Sequence, residues 1–235
     1  MRGTAWLARP GRGLLLLLAA ALLPAWGGCE RPPEQNSQPP ERQTGQERTG
    51  GADRPVIIAL GDSLTAGFGL PVEDSYPSLL QEKLAAEGHR HLVVNAGVSG
   101  DTTAGGLSRM DWLLRQRADI MIVALGANDG LRGLSPPAMA ENLAGIIEKA
   151  RQNGIRVLLA GMRMPANYGA DYQQRFAEVF PALAEKYGLP FLPFLLDGVA
   201  GEPGLNQPDG IHPNARGTRL VMENVWQVLR TMLAE

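Results

Sequence analysis

From about residue 55 onward, short apolar runs alternate with longer stretches in which apolar residues recur every three or four positions. Residues 55–60 (PVIIAL) are continuously apolar, as in a strand covered on both faces. Residues 75–87 carry Leu79, Leu80 and Leu84 at helical spacing, with Gly88 as a stop. Residues 91–95 (HLVVN) predict a second strand. Residues 103–117 predict a second helix, with Leu107, Met110, Leu113 and Leu114 on one stripe. Residues 120–125 (IMIVAL) predict a third strand, and 139–153 a third helix bearing Leu143, Ile146 and Ile147 and closed by Gly154. Residues 157–160 and 191–194 complete the strands; 172–187 and 218–233 complete the helices.

Strands separated by single helices demand parallel crossovers. The expected fold class is therefore α/β: a three-layer α/β/α sandwich on a five-stranded parallel sheet, flavodoxin-like, with ligands at the carboxyl ends of the strands. No internal repeat or domain boundary interrupts residues 55–235.

The first fifty residues follow a different pattern. Arg2, Arg9 and Arg12 precede an apolar run over 14–25, too short for a comfortable membrane span, and Gly27 and Gly28 stand before Cys29. A basic start, a short apolar core and small residues predict a signal peptide over 1–28. The Gly-Gly-Cys ending resembles a bacterial lipoprotein signal, which would make Cys29 an acylated N-terminus and a lipid anchor. The resemblance departs at Trp26, where such signals usually carry Leu. Residues 29–54 hold no bulky apolar side chain and are rich in Pro, Gln, Glu, Arg and Gly, the composition of a tether without a core. The expected organisation is signal peptide 1–28, linker 29–54 and one domain over 55–235, in an exported, periplasmic, membrane-tethered protein.

Composition narrows the partners. Lys and Arg number 22 against 24 Asp and Glu, for a net charge of −2. Removal of residues 1–28 takes three Arg and no acid, leaving five more acids than bases. Nothing in this balance suggests a nucleic-acid partner, which would leave a basic patch or run, and a net acidic body has no charge-based reason to lie flat on anionic lipid. A single cysteine forms no internal disulfide. No His, Cys, Asp or Glu cluster has zinc-site spacing, and no Gly-rich loop leads into Lys-Ser or Lys-Thr. Neither a metal nor a nucleotide cofactor is expected, and no feature fixes an oligomeric state.

The loops after the strands carry the chemistry. Gly61-Asp62-Ser63-Leu64 follows the first strand, and residues 95–101 (NAGVSGD) the second. Gly126-Ala127-Asn128-Asp129-Gly130 follows the third, and Asp209-Gly210-Ile211-His212-Pro213 precedes the last helix. All four fall on one predicted edge of the sheet. Acyl transfer needs a nucleophile, a base, a group to orient the base and donors for an oxyanion. Ser63 can be the nucleophile and His212 the base; His89 and His91 lie at the opposite edge. Asp209, three residues before His212, can orient its imidazole. The Asn128 amide and the backbone N–H groups of Gly100 and Ser63 can form the oxyanion hole. Singly, each block also has a plain structural use: Ser63 as a helix cap, Asn128-Asp129-Gly130 and Asp209-Gly210 as turns, Pro213 opening a helix. Asp62 and Asp101 are expected mainly as caps or loop hydrogen-bond partners.

Taken together and in order, the four blocks resemble the SGNH, or GDSL, hydrolase family across residues 55–235. The resemblance implies Ser63 as nucleophile and oxyanion donor, Gly100 and Asn128 as further donors, His212 as base and Asp209 as orienter. Gly97 is a second glycine in block two, and the Ser-Gly-Asp context favours Gly100. Residues 126–133 (GANDGLRG) and 162–169 (MRMPANYG) look like the bacterial thioesterase I/lysophospholipase L1 subgroup, also described as arylesterase. That likeness implies hydrolysis of acyl thioesters, lysophospholipids or aryl esters, an acyl-chain pocket and a mobile loop over about 130–135, whose one basic residue is Arg132. A carbohydrate O-deacetylase of the same fold, or a non-catalytic binding module, are the alternatives. Trp112 and Trp226 are expected in the core rather than in a sugar-binding groove. Thr65 stands where a Gly-x-Ser-x-Gly elbow would need glycine.

Overall fold

A computed structural model describes residues 54–233. The signal peptide, Cys29 and the linker up to Asp53 lie outside the described residues. Five parallel strands form one sheet in the order β2-β1-β3-β4-β5: β1 Val56–Gly61, β2 Leu92–Gly97, β3 Ile120–Ala124, β4 Arg156–Ala160 and β5 Phe191–Leu192. This is the flavodoxin-like order. The central strands β1 and β3 are buried almost end to end, which explains their unbroken apolar sequence. The edge strand β2 is half exposed.

Helices cover both faces. α2 (Tyr76–Ala86) and α8 (Ala215–Leu233) pack together on one face. On the other lie α3 (Thr103–Ser108), α6 (Pro136–Gln152) and α7 (Ala170–Tyr187). The apolar residues singled out in these helices are where periodicity puts them: Leu80, Leu84, Leu143, Ile146 and Ile147 are fully buried.

The larger departures from the expected boundaries have local reasons. The helix expected over 103–117 is divided into α3, α4 (Met110–Leu113) and a 3-10 turn at Leu114–Gln116. Gly105 and Gly106 weaken α3, and Ser108 Oγ donates back to the Gly105 carbonyl at 2.7 Å. α6 begins three residues early because Ser135 caps it and Pro136-Pro137 occupy its first turn. β5 stops at Leu192 because Pro193 has no N–H for the ladder. α8 begins at Ala215 rather than 218, because Asn214 Oδ1 accepts from the N–H groups of Arg216 and Gly217. Trp226 is buried as expected. Trp112 is not: it is 54% exposed on the outer side of α4.

The chain order reverses between β1 and β3, since β1 continues to β2 on one side and β3 to β4 on the other. A crevice opens at the carboxyl ends of strands at such a point. Ser63 leaves β1 there and Asn128 leaves β3 beside it.

Candidate active site

Each site residue is positioned by a short, strongly determined turn. Asp62 ends β1 and caps α1 (Ser63–Ala66), its carboxylate accepting from Leu64 N–H at 3.0 Å. Ser63 is thus the first residue of α1 and not its cap, so its backbone N–H has no intrahelical partner. Its hydroxyl faces His212, with Oγ and Nε2 2.9 Å apart. The other ring nitrogen, Nδ1, is 2.7 Å from Asp209 Oδ2. Asp209 Oδ1 accepts from the N–H groups of Ile211 at 2.9 Å and His212 at 3.0 Å. One carboxylate therefore builds the tight turn with one oxygen and holds the imidazole with the other. Those hydrogen bonds pull its carboxyl down to about 2, the His212 backbone N–H contributing most. With Nδ1–H donated to Asp209, Nε2 presents a lone pair to Ser63.

Phe68 covers the imidazole, ring centroids 4.7 Å apart, while remaining 50% exposed. Gln207 secures both sides of this contact, Nε2 donating to the carbonyls of Phe68 at 2.7 Å and Pro213 at 3.0 Å.

The two glycines of block two separate cleanly. A Cβ on Gly97 would lie 2.2 Å from the Ala66 backbone nitrogen, so Gly97 lets α1 pack over β2. Gly100 has φ +81° and lines the cavity beside Ser63. Arg132 Nη2 donates to the Gly100 carbonyl at 2.8 Å, so the one basic residue of loop 130–135 ties that loop to block two. Asn128, in the short helix α5 (Ala127–Leu131), also lines the cavity. Its Nδ2 donates to Asp62 Oδ2 at 3.2 Å and to the Asp101 carbonyl at 2.9 Å. The next residue, Asp129, is buried and accepts from Thr103 N–H at 2.9 Å and Thr103 Oγ1 at 2.6 Å, locking block three to α3. His89 and His91 meet edge to face at the opposite edge, ring centroids 6.0 Å apart, outside the cavity.

Ser63, Gly100, Asn128 and His212 thus share one cavity of about 750 Å³, of ordinary size for a small-molecule site. Away from these residues its wall is mostly apolar, with Leu131, Met162, Met164, Phe194, Leu196 and Ile211, and its other polar side chains are Asp62, Ser99 and Arg163. Trp112 is not part of it, so the exposed indole furnishes no sugar platform here. Arg163 is the one Lys or Arg of the lining and lies over the Phe194 ring at 5.0 Å.

Residues 59–220 match the GDSL-like lipase/acylhydrolase family. The chain belongs to this family. Among curated relatives, esterase TesA of Pseudomonas aeruginosa is 42% identical over 179 residues, covering 76% of this chain and 89% of TesA. Thioesterase 1/protease 1/lysophospholipase L1 of Escherichia coli K12 is 39% identical over 160 residues, 68% of this chain and 76% of the enzyme. The psychrotrophic esterase EstA from Pseudoalteromonas sp., solved as inhibited by monoethylphosphonate, has a TM-score of 0.73 and 33% identity, covering 77% of this chain and 99% of EstA.

Three contributors had no separate signal in the sequence. Phe68 is one aromatic in a loop, Gln207 one amide in another, and Arg109 is one cation inside the helix expected over 103–117. Arg109 Nε pairs with Asp101 at 2.9 Å while Nη2 reaches the Gly61 carbonyl at 3.1 Å, joining blocks one and two.

Proposed function

We propose that this protein hydrolyses acyl esters and thioesters through an acyl-Ser63 intermediate. It is a carboxylic ester hydrolase of the GDSL-like family, and the relatives named esterase and thioesterase/lysophospholipase support both leaving groups. The observation that carries the residue assignment is the relay Asp209–His212–Ser63, at 2.7 and 2.9 Å, opening into a largely apolar cavity.

In the first half-reaction Ser63 Oγ attacks the carbonyl carbon as its proton passes to His212 Nε2. The negative charge on the carbonyl oxygen meets the N–H groups of Ser63 and Gly100 and the Asn128 amide. Collapse of the tetrahedral adduct breaks the C–O or C–S bond, and His212 gives its proton to the departing alcohol or thiol. Water then attacks the acyl-serine, its proton going to His212 and from there back to Ser63 Oγ. Asp209 stays ionised throughout and stabilises the imidazolium. The acyl chain lies along Met162, Met164, Phe194 and Leu196, which favours lipid-derived chains over acetate on a sugar.

We place the enzyme outside the cytoplasm, held by acylated Cys29 on the linker 29–54. The Gly-Gly-Cys ending and the coreless linker composition support this. Among the described residues no helix is long and apolar enough to cross a membrane. Labelled palmitate incorporated by the full chain, and lost in Cys29→Ser, is the expected result; equal labelling would refute the anchor.

A p-nitrophenyl ester series from acetate to palmitate tests the substrate reading. Medium or long chains should give the highest kcat/KM, and Leu196→Trp should shift the optimum to shorter chains. An optimum at acetate would contradict it.

A further inference from the structure

Asp62 is fully buried beside the nucleophile, and the relay does not use it. Its cap bond to Leu64 would be made equally well by Asn or Ser. Burying a carboxylate is costly, and burial pushes this carboxyl up to about 6. Capping therefore leaves the charge without a reason.

The second carboxylate oxygen supplies one. A side-chain amide has two nearly isosteric ends, one donating and one accepting. Asn128 faces two acceptors, Asp62 Oδ2 and the Asp101 carbonyl. Only the NH₂ end fits there; reversal would set Asn128 Oδ1 against a carboxylate and a carbonyl oxygen. The frame around it is fixed, because Arg109 ties Asp101 to the Gly61 carbonyl. The Asp62 bond is the longer of the two, 3.2 against 2.9 Å. It is the one an incoming oxyanion can share.

We propose that Asp62 is a positioning residue for the hydrolysis: its carboxylate holds the Asn128 amide with its N–H groups inward and releases one of them to the oxyanion. The inference rests on Asn128 being an oxyanion donor, as argued above.

The test is a double-mutant cycle on a p-nitrophenyl ester with Asp62→Asn, Asn128→Ala and the pair. Asn128→Ala should lower kcat by ~100–1,000-fold, the usual loss for one oxyanion donor. Asp62→Asn should lower kcat by ~10-fold or more with KM within ~3-fold, and should cost less than ~2-fold in the Asn128→Ala background. Its Tm at pH 8 should not fall below wild type, whereas a purely structural Asp62 would lower Tm and leave kcat intact. Multiplying effects in the double variant, or full kcat in Asp62→Asn, would overturn the proposal. Wild-type kcat in Asn128→Ala would instead remove the oxyanion assignment, and the proposal with it. Asp62→Ser, which keeps a cap and lacks the second acceptor, carries the same expectations if Asp62→Asn is not recovered folded.

Discussion

Asp62 makes stability depend on pH in a direction opposite to most carboxylates. Its carboxyl rises from 3.8 to about 6, with burial the largest cause, opposed by the Leu64 N–H and by His212. The native state therefore binds the proton more tightly than the unfolded chain between those values, and stability falls as pH rises through that window. A displacement of that size corresponds to about 3 kcal/mol once the group is fully ionised. Asp62→Asn has the same shape and no charge to bury. The stability gap between Asp62→Asn and wild type should therefore grow in favour of the variant by about 2–3 kcal/mol between pH 4 and pH 8. For a domain of this size that is about 5–10 °C in Tm. Urea unfolding followed by tryptophan fluorescence at both pH values measures it, and taking the difference removes carboxylates common to both proteins. A gap equal at pH 4 and pH 8 would refute the reasoning, because the Asp62 carboxyl would then titrate alike in the folded and unfolded chains.

Three further outcomes follow from the geometry. Asp209 is held ionised to about 2 by N–H groups of its own turn, so an acid limb in kcat/KM between pH 4 and 7 should not belong to it. Its stabilising contribution is present above its ordinary value and is lost only as pH falls through about 2. Asp209→Ala should lower kcat by ~100-fold or more, within the ~10⁴ that loss of an orienting carboxylate can cost; steady-state kinetics showing less than a ~3-fold change would argue that the turn alone orients His212. Gly97→Ala should be poorly folded, since its Cβ would meet the Ala66 backbone only 2.2 Å away; a melting curve unchanged from wild type would contradict the packing role.

The parts legible in the sequence were those with a repeating signal or a fixed local spacing. The buried strands β1 and β3 announce themselves as apolar runs, and α2 and α6 by the helical spacing of Leu79, Leu80 and Leu84 and of Leu143, Ile146 and Ile147. Asp209 and His212 belong to one turn, so three residues of spacing were enough to join them. The contact between Ser63 and His212 spans 149 positions, and the shared sheet edge of their loops together with the resemblance of four ordered blocks linked them. The rest depended on tertiary placement. Arg109 falls inside the helix expected over 103–117 but stands at the junction of α3 and α4, from which its guanidinium runs back to Asp101 and Gly61. Trp112 looked apolar enough for the core, but it occupies the outward side of a single turn, α4. Asp62 read as a cap, and its first oxygen is one; its second becomes meaningful only once β1 and β3 bring it against Asn128. Short helices such as α1 and α5 have too few residues to show a period, and caps and tertiary packing define them.

The central claim is a Ser63 nucleophile activated by His212. Treatment with a fluorophosphonate followed by peptide mass spectrometry tests it most directly. The account predicts one phosphonyl group on Ser63 in wild type, and labelling slowed by at least ~1,000-fold in His212→Ala. A label on any other residue, or equal labelling rates in both proteins, would contradict it.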